Sequence, residues 1–256
     1  MDAVVRAIEV TQKFGGLVAV NHVSVDVFPN EIVGIIGPNG AGKSTFFNCL
    51  TGVYAPTEGE IYLGDKKISG CAPHEIAALG MSRTFQNIRL FRDMTVQENV
   101  EVGLQSRLHA NFLDVLFRTP KHRKNEELAV EKSDELLKFV GLYDERFSYA
   151  TSLPYGKQRK LEIARAMAGD PKVLLFDEPA AGMNEQETLE LMELIRKLKQ
   201  KGFTIILIEH DMRFVMNLCE RIYVLDHGTL IAAGEPDEVR ANPQVIEAYL
   251  GKEVAM

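Results

Sequence analysis

The stretch Gly37-Pro38-Asn39-Gly40-Ala41-Gly42-Lys43-Ser44-Thr45 constrains this chain more than any other, because it satisfies G-x-x-x-x-G-K-[ST] between two segments that give the pattern meaning. Before it, Ile32-Val33-Gly34-Ile35-Ile36 is short, apolar and rich in β-branched residues, as a buried strand is. After it, Phe46-Phe47-Asn48-Cys49-Leu50 continues as a helix. A loop so placed can curl its glycine backbone around a phosphate, with N–H groups aimed inward at the positive end of the helix dipole. Lys43 adds a full charge toward the outer phosphates, and the Ser44 hydroxyl offers a ligand to Mg²⁺. Chance yields the bare pattern in about one random chain of this size in a hundred. The expected ligand is a nucleoside triphosphate with its magnesium ion.

The remaining sequence is that of an ordered globular protein. Its 256 residues, 46% of them hydrophobic, suffice for one large domain or one domain with an inserted lobe. No apolar run approaches the roughly eighteen residues of a spanning helix, and the opening Met1-Asp2-Ala3-Val4-Val5-Arg6 lacks the plan of a signal peptide. Cys49, Cys71 and Cys219 are far apart and odd in number, which fits a reducing compartment and three small buried apolar side chains. A net charge of −7 argues against a nucleic-acid partner, since a polyanion requires a basic face.

Taken in order, Ala7-Ile8-Glu9-Val10 and Val23-Ser24-Val25-Asp26-Val27 read as antiparallel strands, with Gly15-Gly16 and Pro29-Asn30 at turns. Phe14 is expected, from the residues alone, in the core. Gly59-Glu60-Ile61-Tyr62-Leu63 followed by Gly64-Asp65 signals a further hairpin. Arg83-Thr84-Phe85-Gln86-Asn87-Ile88 reads as a strand end running into a polar loop, and Thr95-Val96-Gln97-Glu98 is a capping box. From there to about Ala168 helical spacing dominates, with Leu128, Leu136, Leu137 and Val140 on one side. Within residues 103–125, the cluster Phe112-Leu113-Asp114-Val115-Leu116-Phe117 and the run Lys121-His122-Arg123-Lys124 form either a docking surface or a helix packed on its own lobe.

Lys172-Val173-Leu174-Leu175-Phe176 reads as a central parallel strand, and it delivers Asp177-Glu178 to the edge where α/β sheets hold ligands. After a helix over Glu185–Gln200, a second such strand, Phe203-Thr204-Ile205-Ile206-Leu207-Ile208, delivers Glu209-His210-Asp211. A last hairpin turns at Asp226-His227-Gly228, and a capped helix ends near Ala248-Tyr249-Leu250-Gly251. Hydrolysing a triphosphate asks for positioning, charge neutralisation and an oriented water. Asp177 is placed to hold the metal directly or through its waters, which leaves Glu178 as general base. Gln86 either completes the metal shell or orders the water, and His210 is a donor to the outer phosphate.

This order of motifs resembles the ATP-binding subunit of an ABC transporter over essentially the whole chain. The resemblance implies an α/β P-loop ATPase with a mostly parallel core sheet, an N-terminal antiparallel β-subdomain and an inserted helical subdomain. It implies a nucleotide-binding core of 1–86 and 169–256, and a helical lobe of 87–168 that meets a membrane subunit; the 134 positions between numbers 43 and 177 leave room for it. Phe14 then resembles the ring that stacks on adenine, against its reading from residues alone. Residues 37–44 resemble Walker A, Gln86 the Q-loop, 173–177 Walker B, Glu178 the catalytic carboxylate, Ala181-Gly182-Met183-Asn184 the D-loop and His210 the switch histidine.

Within the family, Arg83-Thr84-Phe85-Gln86-Asn87-Ile88-Arg89-Leu90-Phe91, Asp177-Glu178-Pro179-Ala180-Ala181-Gly182 and Val245-Ile246-Glu247-Ala248-Tyr249-Leu250-Gly251 are most similar to bacterial importers of branched-chain amino acids. That likeness implies ATP and Mg²⁺ as cofactors, two different ATPase subunits, two transmembrane permease subunits and an external solute-binding protein. It implies a peripheral position on the cytoplasmic face of the membrane. ABC ATPases for urea or amide, for lipid-type solutes or for soluble duties are the alternatives. Two departures stand out. Where the family signature reads L-S-G-G-Q, this chain has Leu153-Pro154-Tyr155-Gly156-Lys157, and the D-loop aspartate is replaced by Asn184. Proline supplies neither the hydroxyl nor an N–H, so the nucleotide site using this segment across a dimer is expected to be the weaker of two.

Overall fold

A computed structural model of the chain describes residues 2–105 and 120–250. Two sheets organise it. The first is antiparallel and contains β1 (Val5–Phe14), β2 (Leu17–Val27), β4 (Glu58–Leu63) and β5 (Lys66–Lys67), in the order β2-β1-β4-β5. The second contains β3 (Ile32–Ile36), β6 (Met81–Arg83), β7 (Val173–Asp177), β8 (Thr204–Ile208), β9 (Arg221–Asp226) and β10 (Thr229–Gly234), in the order β10-β9-β3-β8-β7-β6. Every neighbour in that second sheet is parallel except β10, which closes the hairpin with β9.

All five residues of β3, of β7 and of β8 are buried. The two-residue period of a strand divides them between two cores. Ile32 and Ile36, Leu174 and Phe176, Ile205 and Leu207 face one side, whereas Val33 and Ile35, Val173 and Leu175, Ile206 and Ile208 face the other. On the second side α1 (Lys43–Leu50) fills the space between the sheets with Phe46, Phe47, Cys49 and Leu50. The first side is covered by α3 (Val96–Leu104), α5 (Tyr155–Ala168), α6 (Glu185–Gln200) and α7 (Met212–Leu218), with α4 (Pro120–Val140) packed on α3 and α5. The short α2 (Pro73–Ala78) precedes β6. No helix among the described residues is long and apolar enough to cross a membrane.

Four expectations are corrected here. Leu128 is 37% exposed, whereas Leu137 and Val140 are buried, because the apolar face of α4 meets its neighbours only toward its C-terminal end. The single helix expected at the C-terminus is two, α8 (Pro236–Ala241) and α9 (Pro243–Leu250), since Pro243 has no N–H to continue the ladder. Cys49 and Cys219 are buried, and burial pushes the Cys49 thiol up to about 11, but Cys71 is only half-buried. Phe14 is 42% exposed and takes no part in either core. The cluster at 112–117 lies outside the described residues.

Thr95 caps α3 as its sequence predicts: its hydroxyl accepts from the Glu98 N–H at 3.2 Å, and Glu98 accepts from the Thr95 N–H at 2.7 Å. Thr95→Ala is expected to cost about 1 kcal/mol of stability. A lowered urea midpoint with unchanged nucleotide affinity is the checkable result.

Candidate functional site

Helix α1 starts at Lys43 behind Gly42, whose φ of 95° lies in the left-handed region and which offers no side-chain cap. Two loop glycines are demanded by space as well as by φ. A Cβ on Gly37 would lie 2.0 Å from the Leu225 carbonyl oxygen, and one on Gly42 would lie 2.3 Å from that of Ala19. The loop is thus pressed between β2 and the end of β9, with its N–H groups at the positive end of the helix dipole. Lys43 is 7% exposed and folds back over the loop, donating to the carbonyls of Gly37 at 2.7 Å and Pro38 at 3.0 Å. Beside it opens a cleft of about 650 Å³, walled by Phe14, residues 17–19, residues 39–45, Glu178 and His227-Gly228. Phe14 and Tyr54 form a T-shaped pair with ring centroids 5.2 Å apart, and the Phe14 ring is 42% exposed on the cleft wall.

Strand β7 ends at Asp177, 8% exposed, and one of its oxygens is 2.5 Å from a guanidinium nitrogen of Arg83. Arg83 also donates to the Asn48 side chain at 2.7 Å and the Thr51 hydroxyl at 3.1 Å, both in or just after α1. Glu178 follows with φ of 46°, a conformation that costs a side-chain-bearing residue about 1–3 kcal/mol and persists only when its surroundings impose it. Here the surroundings are the end of β8. The Glu178 N–H donates to the Ile208 carbonyl at 3.0 Å, and the Ala180 N–H donates to Glu209 Oε1 at 2.8 Å.

Glu209 is 1% exposed, and its other oxygen accepts from the His210 N–H at 3.2 Å. Burial pushes its carboxyl upward, against the two N–H bonds and His210. One buried carboxylate therefore straps the turn after Glu178 to the residue that faces it. The Glu178 carboxylate itself accepts from the Gln86 amide at 2.7 Å, and His210 Nδ1 lies 3.9 Å away. The structure thus gathers Lys43, Ser44, Glu178, Gln86 and His210 around one edge of the parallel sheet. The side chains of Ser44, Asp177 and Gln86 can each offer an oxygen, the hard ligand type that Mg²⁺ takes. In the structure one Asp177 oxygen is paired with Arg83, and Gln86 turns its amide nitrogen to Glu178.

The description ABC transporter matches residues 20–181, and a second description, branched-chain amino acid ATP-binding cassette transporter, matches residues 229–255. This chain belongs to the ABC transporter family. It is 49% identical to the high-affinity branched-chain amino acid transport ATP-binding protein LivG of Escherichia coli K12 over 241 residues, 94% of each protein. It is 49% identical to BraF of Pseudomonas aeruginosa over 243 residues, 94% of this chain and 95% of that one. Among solved structures, the ADP conformation of MJ1267, an ATP-binding cassette of an ABC transporter, superposes with a TM-score of 0.86 and 34% identity over 98% of this chain and all of that one.

The segment 153–157, expected from the resemblance to take the place of the family signature, lies apart from the cleft: none of these residues lines it. Leu153 is buried, Pro154 precedes the first turn of α5, and Lys157 is paired with Glu145. The Tyr155 hydroxyl donates to the Ala181 carbonyl at 3.1 Å and its ring covers Gly182, which ties the segment 153–157 to residues 181–184 within one chain. Asn184 caps α6, accepting from the Glu187 N–H at 2.9 Å. A Glu187 carboxylate oxygen lies 2.7 Å from where a Cβ on Gly156 would sit, so negative charge borders that glycine.

Reading of the residues alone placed Arg83 and Glu209 at strand ends without a role in the site, and passed over Arg159 and Glu162, two charges on a helix whose burial no local pattern signals. Glu209→Gln turns an N–H₂ group toward one of two backbone N–H donors. Such a misplacement of Glu178 against His210 is expected to lower kcat for ATP about 10²-fold. Nucleotide affinity is expected to stay within about twofold, so steady-state kinetics alongside a binding titration checks it.

Proposed function

We propose that this protein is the ATP-binding and ATP-hydrolysing subunit of an importer of branched-chain or other apolar amino acids. The observation that carries the reading is the position of the Glu178 carboxylate, held by β8 on the wall of a cleft that Lys43 and the start of α1 make attractive to phosphate. The import duty is supported by the 49% identity to LivG and BraF over 94% of the chain and by the match at 229–255. An export duty on lipid has the weaker support of 34% identity to the lipopolysaccharide export ATP-binding protein LptB of Acidithiobacillus ferridurans.

In this reading Phe14 stacks on adenine, and residues 37–45 wrap the phosphates. Ser44 and Asp177, with Gln86 near, would hold Mg²⁺, which would supply positive charge to the phosphates. Glu178 takes a proton from the attacking water while His210 donates to the terminal phosphate. Gln86 donates to Glu178 in the structure, so for its oxygen to reach the metal that side chain would have to exchange its partner.

Residues 1–86 and 169–256 act as the nucleotide-binding core and 87–168 as the lobe that meets the membrane. Beside that lobe an apolar groove of about 520 Å³ is lined by Phe85, Leu90 and Phe91, with Arg89 and Arg165 at its walls. Its shape and charge suit a cytoplasmic segment of a permease subunit with an apolar face and an acidic end. The protein is peripheral to the cytoplasmic face of the membrane and works as one of two ATPase subunits, of which a heterodimer is favoured, with two permeases and an external solute-binding protein. A related cassette, MJ0796, has a dimeric structure bound to ADP and Pi, at a TM-score of 0.76 and 27% identity over 91% of this chain and 98% of that one. Proline at 154 and Glu187 beside Gly156 both weaken anion binding at the signature, which makes the nucleotide site it completes the weaker one.

Glu178→Gln is expected to lower ATP turnover by the assembled complex about 10²- to 10⁴-fold while nucleotide binding survives. Turnover left intact would end the reading. Lys43→Ala, in contrast, is expected to abolish binding itself in a fluorescent-nucleotide titration. For the unequal sites, the general base is removed separately in each ATPase subunit; equal losses at the two would contradict the assignment.

A further inference from the structure

Helix α5 carries two charged side chains that the cleft does not use. Arg159 is 0% exposed and Glu162 1%, and they pair at 2.7 Å. Burying such a pair is a poor route to stability, since desolvation of both charges offsets their attraction; its attested use is to fix position. What these two hold is one short stretch. Arg159 donates to the Phe85 carbonyl at 2.6 Å and the Gln86 carbonyl at 2.8 Å. Glu162 Oε1 accepts from the N–H groups of Phe85 at 3.4 Å and Arg89 at 3.3 Å. Four main-chain groups of residues 85–89, a stretch with no helix or strand of its own, are thus bonded to one helix.

The other branch of the same cluster runs to the far side of Glu178. Arg159 reaches the Tyr155 hydroxyl oxygen at 3.4 Å, and Tyr155 donates to the Ala181 carbonyl at 3.1 Å. Glu178 is bonded to Gln86 on one side and opens the turn that contains Ala181 on the other. Both neighbours of the general base are therefore anchored to α5, whose first turn is the signature segment.

We propose that Arg159 and Glu162 are positioning residues for Gln86: by bonding the main chain of residues 85–89 they fix where its amide meets the Glu178 carboxylate. The inference rests on the ATPase reading above. It requires that removing the tether act through Gln86 rather than through the fold at large.

The test uses the full chain, alone and in its assembled complex. Arg159→Met with Glu162→Leu removes both charges together, so that neither is left buried without its partner. Arg159→Lys keeps the charge but loses the planar fork, and serves if the double variant does not fold. Amide exchange at residues 85–89 is expected to rise at least about tenfold in either variant. In the complex, kcat for ATP is expected to fall about tenfold with KM within about twofold. Adding Gln86→Ala should then lower kcat by less than a further twofold, although Gln86→Ala alone lowers it about tenfold. Losses that multiply, a KM that rises as kcat falls, or unchanged exchange at 85–89 would each overturn the proposal. If the unmodified complex hydrolyses no ATP, the functional reading falls and the exchange experiment alone decides the tether.

Discussion

Adjacency of three parallel strands governs nearly everything functional in this molecule. β3 lies beside β8 and β8 beside β7, all pointing the same way. The glycine loop after β3, the carboxylates at the end of β7 and Glu209-His210 after β8 must therefore emerge along one edge, although positions 43, 177 and 210 are remote in the chain. Strands with all five residues buried cannot slip in register without exchanging one core for the other. That rigidity is what allows a left-handed turn at Glu178 to persist, anchored on the Ile208 carbonyl and the Glu209 carboxylate.

Buried charge does the fine positioning. Arg83 joins the end of β7 to the segment leaving α1, Glu209 joins the turn after β7 to the end of β8, and Arg159 with Glu162 joins α5 to the stretch after β6. A hydrophobic contact holds surfaces together without choosing among nearby arrangements, whereas a carboxylate accepting two N–H groups at defined angles does choose. All three devices border Glu178 or Asp177. The charges taken out of water are thus concentrated where small displacements alter chemistry.

Phe14 illustrates how context changes the meaning of a residue. From its neighbours alone an aromatic side chain before a glycine pair reads as core, whereas the pairing of β1 with β2 leaves the ring exposed on the cleft wall. Asn184 departs from the family pattern yet keeps a role, because an amide oxygen caps α6 much as a carboxylate would. Leu128 misled because helical spacing predicts a face and not the extent of the neighbour that covers it.

Local chemistry was readable directly: the glycine loop, the Thr95 capping box, the apolar strands and the acids that end them follow from φ preferences, hydrogen-bond valence and periodicity, which act over a few residues. ABC membership was likewise legible in the order of those pieces. Only the folded chain decided that Arg83 pairs with Asp177, that Gln86 bonds Glu178 and that Arg159 with Glu162 holds residues 85–89. Those partners lie between 73 and 94 positions apart along the chain. Nothing in their neighbours specifies the pairing, because a buried charge finds its counterpart only once the hydrophobic layers have fixed which surfaces meet.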